Sequence, residues 1–137
     1  MVRRFWPILF LLVSACATLH QAPTTVPAGK ALVYVYRRAI PFGPAEMHVY
    51  DGQQDKGVLT NGSYLDFMAD PGPRAFKVVA GDSRSMPYAT TLDGGRTYYF
   101  LAYFLGEQSK GDAALTPMDA DTAKAQMANL KPIDQPD

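Results

Sequence analysis

The sequence is poor in the residues on which many enzymes and metal sites depend. It has one cysteine and two histidines, which excludes a disulfide within the chain and a zinc site built from cysteines. Its 13 basic residues balance 13 acidic ones, which argues against nucleic acid as a partner. The fold must therefore be held by packing, for which eight tyrosines and seven phenylalanines are available.

Motifs for catalysis are also missing. The sequence contains no nucleophile elbow, His-Glu-x-x-His, phosphate loop or dinucleotide fingerprint. His20 lies in a predicted tether, and His48 falls on the polar face of a predicted strand, where we interpret it as a solvated residue rather than a base. Helix capping explains Asp119 and Asp121 better than a calcium site, which needs six or more oxygens. We therefore predict no catalytic residue, no metal and no cofactor.

The N-terminus has the anatomy of a signal peptide. Arg3 and Arg4 precede an apolar stretch from Phe5 to Val13, which is too short to span a bilayer, because a transmembrane helix needs roughly 20 residues. The residues that follow resemble the lipobox of bacterial lipoproteins, with the sequence Val13-Ser14-Ala15-Cys16. In those proteins the peptide is cut just before the cysteine, which carries the acyl chains. The resemblance implies a signal peptide over residues 1–15 and a lipid on Cys16.

Two other outcomes stay open at this N-terminus. The small-x-small cleavage rule is also met by Val13-x-Ala15 and Ala15-x-Ala17, which would release a secreted domain, and an uncleaved segment would act as an anchor. We favour lipidation because an exported free thiol would be reactive. Inner-membrane lipoproteins of enterobacteria typically carry Asp where this chain has Ala17. That resemblance implies the outer membrane, facing the periplasm.

The remaining chain is predicted to contain a tether, one domain and a tail. Residues 16–29 include Pro23 and Pro27 and show no apolar period, which predicts an extended tether. The domain is expected over residues 30–131, and a disordered tail over residues 132–137. Without Arg3 and Arg4, the mature protein has 11 basic and 13 acidic residues, so its charge offers no attraction to anionic lipid.

Short apolar segments separated by turn residues predict a mainly β fold. Ala31–Arg37 and Thr97–Phe104 are apolar on both faces, which is typical of central strands. Asn61-Gly62 is a strong hairpin signal. Asp119 or Asp121 can cap a helix that ends near Asn129. Seven or eight strands and this helix predict a small antiparallel β-sandwich or half-open barrel with one C-terminal helix. We expect antiparallel pairing because the connections are too short for crossovers.

The strand and turn residues between positions 31 and about 130 resemble a bacterial lipoprotein family, domain of unknown function 2846. The residues that carry this resemblance are Tyr34-Val35-Tyr36-Arg37, Val49-Tyr50-Asp51-Gly52, Gly57 to Tyr64, Pro71-Gly72 and Gly95 to Tyr99. The stretch from Val49 to Val78 is also similar to the PEGA-type β module of envelope proteins. These resemblances imply a β fold and no catalytic residues.

The tyrosines are the sharpest functional signal, because nearly all of them lie on predicted strands. A row of exposed rings could stack on a cell-envelope glycan or contact another envelope protein, while the alternative is that the rings fill the core. Tyr50, Tyr64 and Tyr98 are the predicted ligand or partner surface. We expect a lipid-anchored envelope lipoprotein that acts as a non-catalytic binding or structural module. The alternatives are an accessory subunit of an envelope or secretion assembly and, third, a periplasmic enzyme.

Overall fold

A computed structural model describes residues 25–41, 46–105 and 112–133 of the chain. The predicted signal peptide, Cys16, His20 and most of the predicted tether lie outside the described residues. Within them the chain forms ten strands and one helix. The strands are β1 (Ala31–Arg37), β2 (Met47–Asp51), β3 (Gln54–Leu59), β4 (Ser63–Ala69), β5 (Gly72–Ala80), β6 (Ser83–Arg84), β7 (Tyr88–Leu92), β8 (Thr97–Leu105), β9 (Asp112–Met118) and β10 (Lys131–Pro132), and the helix is α1 (Ala120–Met127).

Two sheets pack face to face as a small β-sandwich, which confirms the predicted fold class. Sheet 1 has the order β10-β4-β1-β8-β9, and sheet 2 has the order β3-β2-β5-β6 with β7 also paired to β5. Six of the eight strand pairings are antiparallel, but β1–β8 and β10–β4 are parallel. The expectation of antiparallel pairing throughout is therefore wrong at two places. Both parallel pairs join strands from distant parts of the chain, so no short connection restricts their direction.

The core lies between the sheets and is rich in aromatic side chains. Phe76 contacts Phe67 and Phe100, with ring centroids 6.0 and 5.3 Å apart, and Tyr88 packs edge-on against Phe100 at 5.7 Å. Phe76 and Phe100 are at most 2% exposed. Burial of such side chains is the main stabilising contribution in a chain that has no disulfide to constrain it.

Strand β1 is buried along all seven of its residues, which confirms the prediction of a central strand. One face supplies Val33 and Val35 to the core between the sheets. The other face lies towards α1, where the Tyr36 hydroxyl donates a 2.7 Å hydrogen bond to Gln126 Oε1. The helix begins after Asp119, whose carboxylate accepts a 2.8 Å hydrogen bond from the Thr122 backbone N–H. The sequence offered Asp119 or Asp121 as the cap, and the structure selects Asp119.

The turn at Asn61-Gly62 is not the predicted hairpin. It leads from β3 in sheet 2 to β4 in sheet 1. The Asn61 side chain accepts from the Ile40 backbone N–H at 2.9 Å and donates to the Ile40 carbonyl oxygen at 2.8 Å. Because both its amide groups are committed to Ile40, Asn61 ties the end of sheet 1 to the connection between the sheets.

The first two residues of the predicted tail, Pro132 and Ile133, contact the domain. Lys131 and Pro132 pair with β4, and the backbone N–H of Ile133 donates to the Tyr64 carbonyl oxygen at 2.8 Å. Ile133 also packs against the core, and residues 134–137 lie outside the described part. None of the helices in the described ranges has the length and apolar character needed to cross a membrane.

Candidate functional site

Three tyrosines meet on the outer face of sheet 1, the face directed away from sheet 2. Tyr34 of β1 and Tyr99 of β8 are partners in the parallel pairing. Their rings are stacked, with centroids 5.2 Å apart and planes within 6° of each other. The ring of Tyr64, on β4, is tilted against that of Tyr34 at 6.3 Å. These three residues are called the tyrosine cluster below.

Helix α1 and the residues after it complete a groove over the tyrosine cluster. The groove has a volume of about 290 Å³ and is lined, besides the three rings, by Lys124, Met127, Ala128 and Leu130. Its floor is aromatic, its wall is aliphatic, and the exposed Lys124 stands at its rim. Aromatic and apolar surface combined with a few polar groups is typical of small-ligand sites, which usually measure about 300–1,000 Å³. This groove, called the tyrosine groove below, is slightly smaller than that range.

The environment of the groove keeps its central phenol protonated. Burial raises the pKa of Tyr34 to about 12, and the negative charge of Asp66 adds to this effect. Asp66 lies opposite Tyr34 in the pairing of β1 with β4. A neutral phenol retains its O–H donor, so Tyr34 can donate a hydrogen bond over the whole physiological pH range.

The three predicted surface tyrosines lie on three different faces. Tyr64 belongs to the tyrosine cluster. Tyr98 packs against the core on the inner side of sheet 1, and its hydroxyl accepts a 2.8 Å hydrogen bond from the Asp93 backbone N–H. Tyr50 lies on the outer face of sheet 2, where the Lys77 ammonium is 5.4 Å from its ring centroid. The structure therefore brings none of these three together.

Sequence reasoning missed Tyr34, Tyr99 and the contribution of the helix to the groove. The alternation along β1 already placed Tyr34 and Tyr36 on one face. Tyr34 and Tyr99 meet because β1 pairs with β8. This pairing joins distant parts of the chain, so no local sequence pattern predicts it.

The sequence predicts His48 to be a solvated strand residue, but its side chain contacts an acidic partner. Its Nδ1 lies 3.0 Å from Asp55 Oδ2, and the two side chains are 40% and 45% exposed. Partial burial works to raise the Asp55 pKa, but hydrogen bonds from the Gly57 N–H and from His48 outweigh it and hold that pKa below its ordinary value. The pair has the orienting contact that a general base needs, but it lies on an open strand face rather than in a cleft.

Neither metal chemistry nor relatives assign a role to these sites. In the part of the chain that the structure describes, no three His, Cys, Asp or Glu residues are grouped so that they could hold a metal ion. Comparison with models of known protein families, with curated proteins and with solved structures finds no match for this chain. The groove and its residues are therefore the basis for any functional conclusion.

Proposed function

We propose that the protein is a lipid-anchored lipoprotein of the bacterial envelope whose β-sandwich binds a ligand without catalysing a reaction. The observation that carries this proposal is the tyrosine groove between sheet 1 and α1. The lipobox-like sequence ending at Cys16 supports the anchor, and the resemblance to a bacterial lipoprotein family agrees with it. Two or three acyl chains on one residue would hold the protein on a membrane, since each buried methylene contributes about 0.8 kcal/mol.

We infer that the ligand is a cell-envelope glycan such as peptidoglycan. Sugar rings present an apolar face that stacks on an aromatic ring and hydroxyls that need hydrogen-bond partners. Tyr64 is half-buried at the groove, so part of its ring can take up stacking. The Tyr34 phenol and the Lys124 ammonium, which both line the groove, offer hydrogen-bond donors. A non-catalytic role fits this site, because its residues are rings, aliphatic side chains and one ammonium group.

The test is binding of full-length lipidated protein to purified soluble peptidoglycan fragments. We expect Tyr64→Ala to weaken binding by about tenfold or more, as expected when a buried stacking contact of roughly 1–1.5 kcal/mol is lost together with apolar contact area. The matched control is Tyr50→Ala, which removes the same ring from the outer face of sheet 2 and should change binding by less than about twofold.

Two results would contradict the proposed function. One is equal binding by wild-type protein and Tyr64→Ala. The other is an equal loss in Tyr64→Ala and Tyr50→Ala when both variants are folded, since binding would then not depend on the groove. Circular dichroism of both variants checks that they are folded.

A further inference from the structure

The parallel pairing of β1 with β8 ends before β8 itself ends. The last residues of β8 therefore have no described partner strand on the β1 side. The parallel pairing ends at Tyr36 and Leu101. The residues of β8 from Ala102 to Leu105 continue to pair with β9 on the other side. Among the described residues, no strand pairs with β8 on its β1 side from Ala102 onward.

The chain after β1 is hydrogen-bonded away from β8. Asn61 binds both the N–H and the carbonyl oxygen of Ile40, three residues after the end of β1. The space left between the two chain segments is a cleft of about 420 Å³. It is lined by Arg37, Arg38, Ala39, Ile40, Leu101, Ala102, Tyr103 and Phe104. This space is called the β8 cleft below.

Backbone groups of β8 point into the β8 cleft. The Leu32 N–H donates to the Arg96 carbonyl oxygen at 2.9 Å, so Arg96 directs its carbonyl towards β1. Backbone groups alternate between the two sides of a strand, and every second residue onward from Arg96 therefore faces the same side. This alternation directs the N–H and the carbonyl of Phe104 into the cleft, while those of Tyr103 serve the pairing with β9.

An exposed arginine lies at the β8 cleft. The cleft is lined by Arg37 and Arg38, of which Arg37 is 2% exposed, with its guanidinium 5.4 Å from the centroid of the Phe104 ring, whereas Arg38 is exposed. An exposed arginine beside a strand edge with which no described strand pairs favours a partner that has backbone groups to pair and negative charge to offer.

Exposed apolar side chains lie at the same end of the sandwich. Leu105 ends β8 and is 54% exposed, and Met86 is 86% exposed. Both line a second depression near β6 and β9, where the Ala113 N–H donates to Ser83 Oγ at 2.7 Å. Large exposed apolar side chains are typical of surfaces that contact another protein, and the depression that these two line is separate from the β8 cleft.

We propose that the β8 cleft binds an extended acidic segment of a partner protein, which adds to β8 as a further strand. The backbone of the segment pairs with Phe104, a carboxylate of the segment faces the exposed Arg38, and four residues of edge accommodate a segment of about four to six residues. This surface is separate from the tyrosine groove and does not depend on a glycan ligand.

The experiment measures fluorescence anisotropy of two labelled six-residue peptides with full-length protein in neutral detergent. Both peptides alternate valine and threonine in the middle, and one carries glutamate at each end where the other carries lysine. We expect the acidic peptide to bind at least about tenfold more tightly. Arg38→Glu should weaken its binding by about tenfold, and Arg96→Glu, which makes the same charge change at the opposite end of β8, by less than about twofold.

A second pair of variants tests the strand pairing itself. Phe104→Ala and Phe104→Pro both remove the ring, but only proline also removes the N–H that faces the cleft. We expect Phe104→Pro to bind the acidic peptide at least about fivefold more weakly than Phe104→Ala, which corresponds to the loss of one backbone hydrogen bond. The β9 pairing does not use this N–H, and circular dichroism checks that both variants are folded.

Several results would overturn the proposal. They are equal binding of the two peptides, an equal effect of Arg38→Glu and Arg96→Glu, and equal binding by the two Phe104 variants. Binding of anionic phospholipid vesicles in place of the acidic peptide would assign the arginines to a lipid surface. Self-association that increases with concentration and is abolished by Phe104→Pro would assign the edge to a second copy of the chain. Either of these last two results would also reject a peptide partner.

Discussion

The ring of Tyr34 lies flat against the ring of Tyr99, with centroids 5.2 Å apart and planes within 6°. The two residues come from strands that lie far apart in the sequence, and their contact depends on the parallel pairing of β1 with β8. The stack lies at the centre of sheet 1 and lines the tyrosine groove. Burial of the Tyr34 phenol also predicts that the stability of the domain depends on pH.

The stability of the domain should fall at alkaline pH because of Tyr34. The ordinary tyrosine pKa is 10.0, and the folded pKa of Tyr34 is about 12. Below pH 10 both the folded and the unfolded chain keep the Tyr34 proton, so the stabilising contribution of the neutral phenol is fully present. Between pH 10 and 12 the unfolded chain releases the proton while the folded chain keeps it. The free energy of unfolding therefore decreases as the pH rises, by at most about 1.4 kcal/mol per pH unit for this group.

The measurement compares urea unfolding of wild-type protein and Tyr34→Phe at about pH 9 and about pH 11. Wild-type protein should lose more stability between the two pH values than the variant, which has no phenol at this position. Burial also raises the pKa of Tyr36, so Tyr34→Phe should remove only part of the dependence. Equal losses in the two proteins would show that the Tyr34 phenol titrates normally.

Truncation of Phe100 should be among the most destabilising single changes. Its ring is 2% exposed and contacts Phe76 and Tyr88, so Phe100→Ala leaves a cavity between the sheets. We expect a loss of about 3–5 kcal/mol, measured by urea unfolding. The control is Met86→Ala at a side chain that is 86% exposed, which should change stability by less than about 0.5 kcal/mol. A loss below about 1 kcal/mol for Phe100→Ala would contradict the described core.

The turn before β8 should tolerate no side chain at Gly94. A Cβ atom there would overlap the backbone carbonyl of Ala28, in the segment that leads into β1. Because backbone rather than a flexible side chain must move, we expect Gly94→Ala to lose about 1–3 kcal/mol of stability. Gly29→Ala is the matched control, since a Cβ on Gly29 meets nothing within 4 Å. Equal stability of the two variants in thermal unfolding would mean that Ala28 does not pack on this turn.

Individual strands could be predicted from the sequence because alternation and burial are local properties. Leu65 and Phe67 face the core while Tyr64 and Asp66 face outward, as the two-residue period of β4 indicates. The six apolar or aromatic residues that begin β1, Ala31 to Tyr36, likewise correspond to a strand covered on both faces. These features depend on a few neighbouring residues, and they agree with the structure.

Partners of the strands could not be predicted in the same way. Asn61-Gly62 correctly indicates a turn, but a turn residue does not specify whether the next strand pairs with the previous one or enters the other sheet. In β8 both Tyr98 and Tyr99 are compatible with either face, because the strand is apolar on both sides. The parallel contact with β1 decides that Tyr99 joins the groove and Tyr98 the core side. The candidate site therefore depends on pairing that local sequence does not determine.

The proposed lipid on Cys16 would place the domain at a bacterial membrane, and the rest of the proposed function depends on it. The most direct measurement is incorporation of labelled palmitate by bacterial cells that produce the full-length protein or its Cys16→Ser variant. We predict that the wild-type protein is labelled and sediments with membranes, and that Cys16→Ser is unlabelled and released. An unlabelled wild-type protein, or a Cys16→Ser variant that stays equally membrane-bound, would contradict the claim.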